Sequence, residues 1–130
     1  MRAVIAILVS LTLVAGVSRA QSISPMEADV VTFSDLGAVR ASLRNPYADA
    51  RRFEIEAFDM NWNAVDDVRL TRSRLSLAPG GQTSLLAVLP LAGEDERAIY
   101  LCATSVPYRQ SSAGVRGQVC GRFRVIHRSF

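Results

Sequence analysis

Apolar residues recur at every second position in several short runs of this sequence. Across residues 37–45, Val39, Ala41 and Leu43 alternate with polar side chains, and residues 52–60 alternate in the same way. A period of two is typical of a strand that buries one face, because successive side chains point to opposite sides of a sheet. Beyond the first 20 residues no helical apolar face is longer than a turn or two. The pattern therefore predicts a chain built from strands.

Turn-forming residues separate these runs at intervals of roughly ten residues. They occupy positions 45–49, 61–63, 78–81 and 111–114. Further strands are expected near 29–33 and over 68–77, 83–89, 98–106 and 115–126. Short strands at this spacing predict an all-β fold, a single immunoglobulin-like β-sandwich of about seven strands. A small barrel is the alternative fold.

The first 20 residues have the three parts of a secretory signal peptide. Arg2 supplies the positive end, residues 3–17 are apolar, and Ser18 and Ala20 precede a cleavage site before Gln21. A retained membrane anchor is disfavoured, because crossing the hydrocarbon core takes about 20 apolar residues. We therefore predict a cleaved Sec-type signal at 1–20, a single domain at 21–130, a periplasmic location, and no membrane insertion after cleavage.

The positive charge of the chain lies partly in this predicted signal. The formal net charge is +3, but Arg2 and Arg19 fall within the first 20 residues, so that 13 Arg balance 12 acidic residues in the remainder. A nucleic-acid-binding domain ordinarily carries a strong basic excess. The sequence therefore predicts no nucleic-acid partner.

Residues suited to catalysis or metal binding are few. The chain has one histidine, His127, near its end, which gives a zinc site or a catalytic triad little to use. The carboxylates at 94–96 follow a glycine and are interpreted as a solvated turn, with an acid–base pair as the alternative. The glycines at 80–81 lack the spacing of a phosphate-binding loop. Trp62 is interpreted as a lid on the core, with ligand stacking as the alternative. We predict no enzyme, catalytic residue, metal or cofactor.

Both cysteines lie within predicted strands. A turn near residue 111 would set Cys102 opposite Cys120 in a hairpin. Two cysteines in an exported chain favour a disulfide over free thiols. A redox role is disfavoured, because the spacing is not that of a Cys-x-x-Cys motif.

Several landmarks together resemble a known family. They are Leu-Ala-Pro-Gly at 77–80, Asp-Glu-Arg-Ala-Ile-Tyr at 95–100 and Val-Pro at 106–107. In this order they resemble the N-terminal domain of PapD-like periplasmic pilus chaperones, over nearly all of residues 22–128. The resemblance implies that the last strand binds an exported pilus or fimbrial subunit that lacks its own final strand, by β-augmentation. An outer-membrane usher is a further candidate partner.

The resemblance also assigns residues to this site. Arg124 falls where the family has a Lys that anchors the subunit's terminal carboxylate, and arginine can bind a carboxylate through two hydrogen bonds. The alternative is that Arg124 is simply an exposed residue on a polar strand face. The donor strand would present Val115, Gly117, Val119 and Phe123 to the subunit.

Three departures from the family pattern keep a second hypothesis open. Gly117 and Gly121 replace bulky apolar residues of the donor strand, and Asp29 or a neighbour stands where the family has a strand-A arginine. Only the first of the family's two domains is matched. These departures favour an exported immunoglobulin-like structural or adhesion module without chaperone activity.

Overall fold

The computed structural model describes residues 22–106 and 116–130. Within these ranges the secondary structure is made of strands, and no helix there could cross a membrane. The strands are β1 (Ser22–Ser24), β2 (Glu27–Thr32), β3 (Leu36–Arg44), β4 (Arg51–Phe58), β5 (Arg69–Leu70), β6 (Arg74–Leu77), β7 (Gln82–Pro90), β8 (Glu96–Val106) and β9 (Gln118–His127). The predicted signal peptide, the turn near residue 111 and Val115 lie outside the described residues.

The strands form two sheets that pack face to face. One sheet has the order β1-β3-β7-β5 and the other β2-β9-β8-β4-β6. Within the described residues there are nine strands rather than about seven. The strand predicted near 29–33 is β2, and β1 is an additional strand before Pro25 that pairs in the other sheet. The short strands β5 and β6 divide the predicted run 68–77. The predicted immunoglobulin-like sandwich is confirmed.

The core lies between the two sheets and follows the predicted alternation. In β3, every second residue from Gly37 to Leu43 is buried, and the same holds for β4 from Phe53 to Ala57. The two sheets therefore meet through their apolar faces, which is the usual packing of a sandwich. The largest fully buried side chains include Leu43, Phe53, Leu89, Leu91, Ile99, Leu101, Phe123 and Val125.

Asn45 is a buried polar residue that joins two turns. Its Nδ2 donates to the carbonyl oxygens of Asp49, Leu77 and Ala78 at 3.0, 3.0 and 3.1 Å. Its Oδ1 accepts a hydrogen bond from the N–H of Tyr47 at 3.0 Å. Because these bonds satisfy the polar atoms of the amide, Asn45 can be buried without a large energetic cost. Asn45 thereby fixes the β3–β4 turn against the end of β6.

Arg97, in the group that carries the resemblance, closes the other end of the sandwich. Its guanidinium donates to both carboxylate oxygens of Asp67 at 2.7 Å and to the carbonyl oxygen of Pro90 at 2.8 Å. The hydrogen bonds from Arg97 lower the pKa of Asp67 below its usual range. This pair fixes β8 to the segment before β5 and to the end of β7.

Candidate functional site

The two halves of β9 have different neighbours. On one side, residues 118–126 all pair with β8 in antiparallel register. On the other side, β2 pairs in parallel with the second half only, from Arg122 to His127. Among the strands of the described ranges, none pairs with residues 118–121 on that side. We call residues 118–121 the open half of β9.

The register shows which backbone groups face this open side. The Cα atoms of Cys102 and Cys120 lie 4.0 Å apart, the short spacing of a non-hydrogen-bonded antiparallel pair. The N–H and C=O of Cys120 therefore point away from β8, and so do those of Gln118, two residues earlier. The N–H of Arg122 has the same direction, since it donates to the carbonyl oxygen of Met26 at 2.8 Å.

The predicted disulfide is present in the structure. Cys102 and Cys120 are directly opposite each other on β8 and β9, with their sulfurs bonded. Their neighbours Leu101 and Gly121 face the core, so the disulfide lies on the outer face of the five-stranded sheet. It links the open half of β9 covalently to β8, the one described strand with which that half pairs.

The side chains predicted to contact a subunit mainly serve this chain's own core. Phe123 is fully buried, and Val119 is partly buried against the core cluster. Gly117 accepts a hydrogen bond at its carbonyl from the N–H of Ser105 at 2.8 Å. Val115 lies outside the described residues. The open half thus offers a partner its backbone and Val119, whereas Phe123 is already packed.

Gly121 is glycine for a reason that the sequence did not reveal. A Cβ at this position would lie 2.7 and 2.9 Å from two ring carbons of Phe123 and 3.3 Å from the carbonyl oxygen of Pro25. These distances are shorter than normal van der Waals contact. The Phe123 ring therefore covers Gly121, and the glycine is a packing requirement rather than only a missing donor side chain.

Arg124, the predicted carboxylate anchor, already holds a carboxylate of its own chain. Its Nε and Nη2 donate to the two carboxylate oxygens of Asp29 at 3.1 and 2.6 Å. The carboxylate of Glu96 lies 3.7 Å from Nη1. Hydrogen bonding to Arg124 lowers the pKa of Asp29, and the pKa of Arg124 is raised in turn. Asp29 can do this because it is the register partner of Arg124 on β2.

Trp62 does not cover the core, so that prediction is wrong. Its ring stacks on Tyr100 with 4.0 Å between centroids, and 54% of the residue is exposed. Tyr100 faces outward between two buried residues of β8. The Trp62 backbone has φ 64°, uncommon for a bulky residue. The carboxylate of Asp59 holds this turn by accepting the N–H groups of Asn61 and Asn63 at 2.8 and 2.9 Å, which lowers the pKa of Asp59.

Comparison with known proteins bears on the fold. No protein-family model matches the sequence, and no curated protein matches it. Among solved structures, the chain is similar to the Escherichia coli chaperone DraB, with a TM-score of 0.68 and 12% identity over 83% of this chain and 55% of that chain. It is also similar to the Salmonella enterica complex of SafA pilin with the SafB chaperone, with a TM-score of 0.67 and 11% identity over 83% of this chain and 54% of that chain.

A third similar structure is a domain of a human protein. The PapD-like domain of human CEP192 matches with a TM-score of 0.65 and 9% identity, over 86% of this chain and 87% of that domain. The chain spans little more than half the length of the two pilus-chaperone structures. At these identities the similarity shows the fold alone. The fold is that of the PapD-like immunoglobulin domains, which occur both in pilus chaperones and in other proteins.

Proposed function

We propose that this chain acts as a pilus-chaperone-like protein that binds an incomplete β-subunit by strand addition at the open half of β9. The observation that carries the proposal is the edge itself. Gln118 and Cys120 direct their backbone N–H and C=O groups to a side where no described strand pairs. Unpaired groups of this kind are a template for an incoming strand.

The fold and the predicted export both support this proposal. PapD-like chaperones dominate the structural comparison, and one of the matching structures is a chaperone in complex with a pilin. The predicted signal peptide supports a periplasmic location, where pilus subunits would be met. The partner class is therefore an exported pilus or fimbrial subunit that lacks its last strand, with an outer-membrane usher as a second partner.

Recognition at this edge would depend on the backbone more than on side chains. The Phe123 ring is committed to the core, and Gly121 lies beneath it. Val119 is the donor-strand residue of the open half whose side chain remains partly exposed. Main-chain hydrogen bonds would supply affinity, and Val119 would supply the apolar contact.

A proline at Gln118 tests strand addition directly. The N–H of Gln118 points away from β8, so Gln118→Pro removes an edge donor, and proline is tolerated at the first residue of a strand. The chain is tagged and co-expressed in the periplasm with a pilus subunit of the same bacterium, and the captured subunit is measured. We expect Gln118→Pro to lose capture, with its melting temperature close to the wild type.

Gln118→Ala is the matched control, because it removes the same side chain, including its bond to Thr104 at 3.2 Å, and keeps the N–H. We expect Gln118→Ala to capture subunit as the wild type does. Equal capture by Gln118→Pro and Gln118→Ala would contradict strand addition at this edge.

The role of Arg124 needs its own experiment. A subunit carboxylate would have to compete with Asp29 for the same guanidinium. If Arg124 is the anchor, Arg124→Ala should reduce subunit capture more than Arg122→Ala, its exposed neighbour on the same face. Equal capture by the two variants would show that Arg124 is only the ion-pair partner of Asp29.

The closed ion pair favours a second candidate function. An exported structural or adhesion module would need no free carboxylate anchor and no donor side chains. Arg124 held by Asp29 and the buried Phe123 ring both fit such a module. Under this alternative the wild-type chain would capture no pilus subunit in the co-expression experiment.

A further inference from the structure

Exposed apolar side chains concentrate along one edge of the sandwich. Six large apolar residues in the described ranges are exposed, and four of them lie in β2, next to it in the chain, or at the position that stacks on Phe33. These four are Met26, Val31, Phe33 and Phe130, with exposures of 62%, 52%, 60% and 109%. The Phe130 ring stacks on Phe33 with 4.8 Å between centroids. A cluster of this kind is typical of an interaction surface.

β2 is also an edge strand with unpaired backbone groups. It is the last strand of its sheet, and in the described part of the chain it pairs only with β9. The carbonyl oxygens of Met26 and Thr32 accept bonds from Arg122 and Arg128 of the β9 side. The backbone N–H and C=O groups of the even-numbered residues of β2 therefore point toward β9. Those of Glu27, Asp29 and Val31 point toward the open side.

The charge at the centre of this edge is neutralised by an ion pair within the chain. Proteins commonly blunt an edge strand with free charges, proline or a bulge. Here the carboxylate of Asp29 is bonded to Arg124, whereas Glu27, at the start of β2, is exposed. Residues 27–32 contain no proline. The edge is long enough to accept another strand, and its central charge is already paired within the chain.

The side-chain pattern of β2 suits pairing with its own copy. In an antiparallel pair centred on Asp29, that carboxylate would face itself, and like charges directly opposite destabilise a sheet. Shifting the centre to Val30 sets Asp29 opposite the second copy's Val31. The same shift sets Glu27 opposite the second copy's Phe33. Outward-facing backbone groups then still meet outward-facing groups, as an antiparallel ladder requires.

We propose that β2 is a self-association edge, at which two copies of this chain pair antiparallel about a two-fold axis through Val30. The five-stranded sheets of the two copies then become one continuous sheet, and the same patch is used on both sides, as in an isologous dimer. The Met26 end of each strand lies beside the Phe33 end of the other, so the exposed apolar residues at both ends are covered. This surface is separate from the open half of β9.

Cysteine cross-linking tests the register. At the two-fold axis, Val30 directly faces its own copy as a non-hydrogen-bonded pair, the geometry in which Cys102 and Cys120 are already bonded. Under mild oxidation, Val30→Cys should form a covalent dimer, with the bond located by peptide mapping. Ala28→Cys is the matched control, since its two copies would be four positions apart. We expect cross-linking of Val30→Cys to be at least about tenfold faster than that of Ala28→Cys.

Sedimentation velocity over a range of protein concentrations tests the association itself. The wild-type chain should pass from monomer to dimer as concentration rises. Val31→Glu sets a carboxylate opposite the second copy's Asp29 at two symmetric positions, and should raise the dimer dissociation constant about tenfold or more. Val88→Glu is the same substitution on the outer face of the other sheet, and should leave the dissociation constant unchanged.

Three results would overturn the proposal. One is a wild-type chain that stays monomeric at every concentration. The second is an unchanged dissociation constant in Val31→Glu. The third is equal cross-linking of Val30→Cys and Ala28→Cys. None of these measurements involves a pilus subunit, so their outcome is independent of the proposed chaperone function.

Discussion

The two halves of β9 share one alternating pattern but differ in how they are held. The second half, from Arg122 to His127, lies between β2 and β8, and we call it the gripped half. Its inward residues Phe123 and Val125 are fully buried. Among the described strands, the open half pairs with β8 only, and the disulfide links it to that strand. A strand can thus serve stability over one half and expose a docking edge over the other. Substitutions should separate these two roles.

The largest effect is expected from Phe123→Ala in the gripped half. Removing a fully buried aromatic ring loses its burial and leaves a cavity, so the free energy of unfolding should fall by about 3–5 kcal/mol. Denaturant unfolding measures this change. Arg122→Ala, at the exposed neighbouring position, is the control and should change stability little. A similar loss in both variants would contradict the assigned roles.

The disulfide should give the next largest effect. It closes a segment with a sequence separation of 18, for which loop-closure entropy predicts about 3 kcal/mol of stabilisation. The double variant Cys102→Ala/Cys120→Ala should therefore unfold at lower denaturant concentration. Treating the wild type with a reductant should produce a comparable shift. If neither treatment changes stability, the gripped half alone holds β9 in place.

Gly121→Ala should cost somewhat less, about 1–3 kcal/mol, because the added methyl overlaps the Phe123 ring. The sign of the coupling free energy between positions 121 and 123 tests this contact. Combining Gly121→Ala with Phe123→Leu should be less destabilising than the sum of the two single changes, since the smaller side chain makes room for the methyl. Strict additivity of the two changes would show that the ring and the glycine do not interact as described.

The smallest effect is expected for Asp29→Asn on the exposed face. The pKa of Asp29 is lowered in the folded state by hydrogen bonding to Arg124, so ionised Asp29 stabilises the fold above its ordinary pKa. The stability gap between wild type and Asp29→Asn should be present at neutral pH and vanish as the pH falls below about 4. Thermal unfolding across this pH range measures it. Because the pair is exposed, high salt should also shrink the gap. A gap that widens in acid would contradict the ion pair.

Local pattern predicted much of the fold. The runs at 37–45, 52–60 and 83–89 correspond to β3, β4 and β7 to within two residues at each end. Alternation reports directly which residues face a core, because the side-chain period of a strand is fixed by its backbone. The predicted hairpin sets Cys102 opposite Cys120, and the structure joins them by a disulfide.

The partner of each strand was harder to predict, since it depends on residues far away in the chain. Nothing in the local pattern says that β2 runs parallel to β9, and only this pairing brings Asp29 onto Arg124. The face used by Trp62 was likewise predicted incorrectly. A turn held by Asp59 folds the indole onto Tyr100, and a period-two pattern does not describe turns.

The sequence by itself determined an all-β sandwich with a disulfide between two strands, because alternation and turn residues act locally. Only the tertiary structure decided that β9 is gripped over one half and open over the other. That division arises where the chain crosses between sheets at Pro25, so that β1 pairs in the other sheet and the β2 pairing starts at Arg122. Pairing between strands nearly a hundred residues apart is a property of the folded chain, and the open edge exists only there.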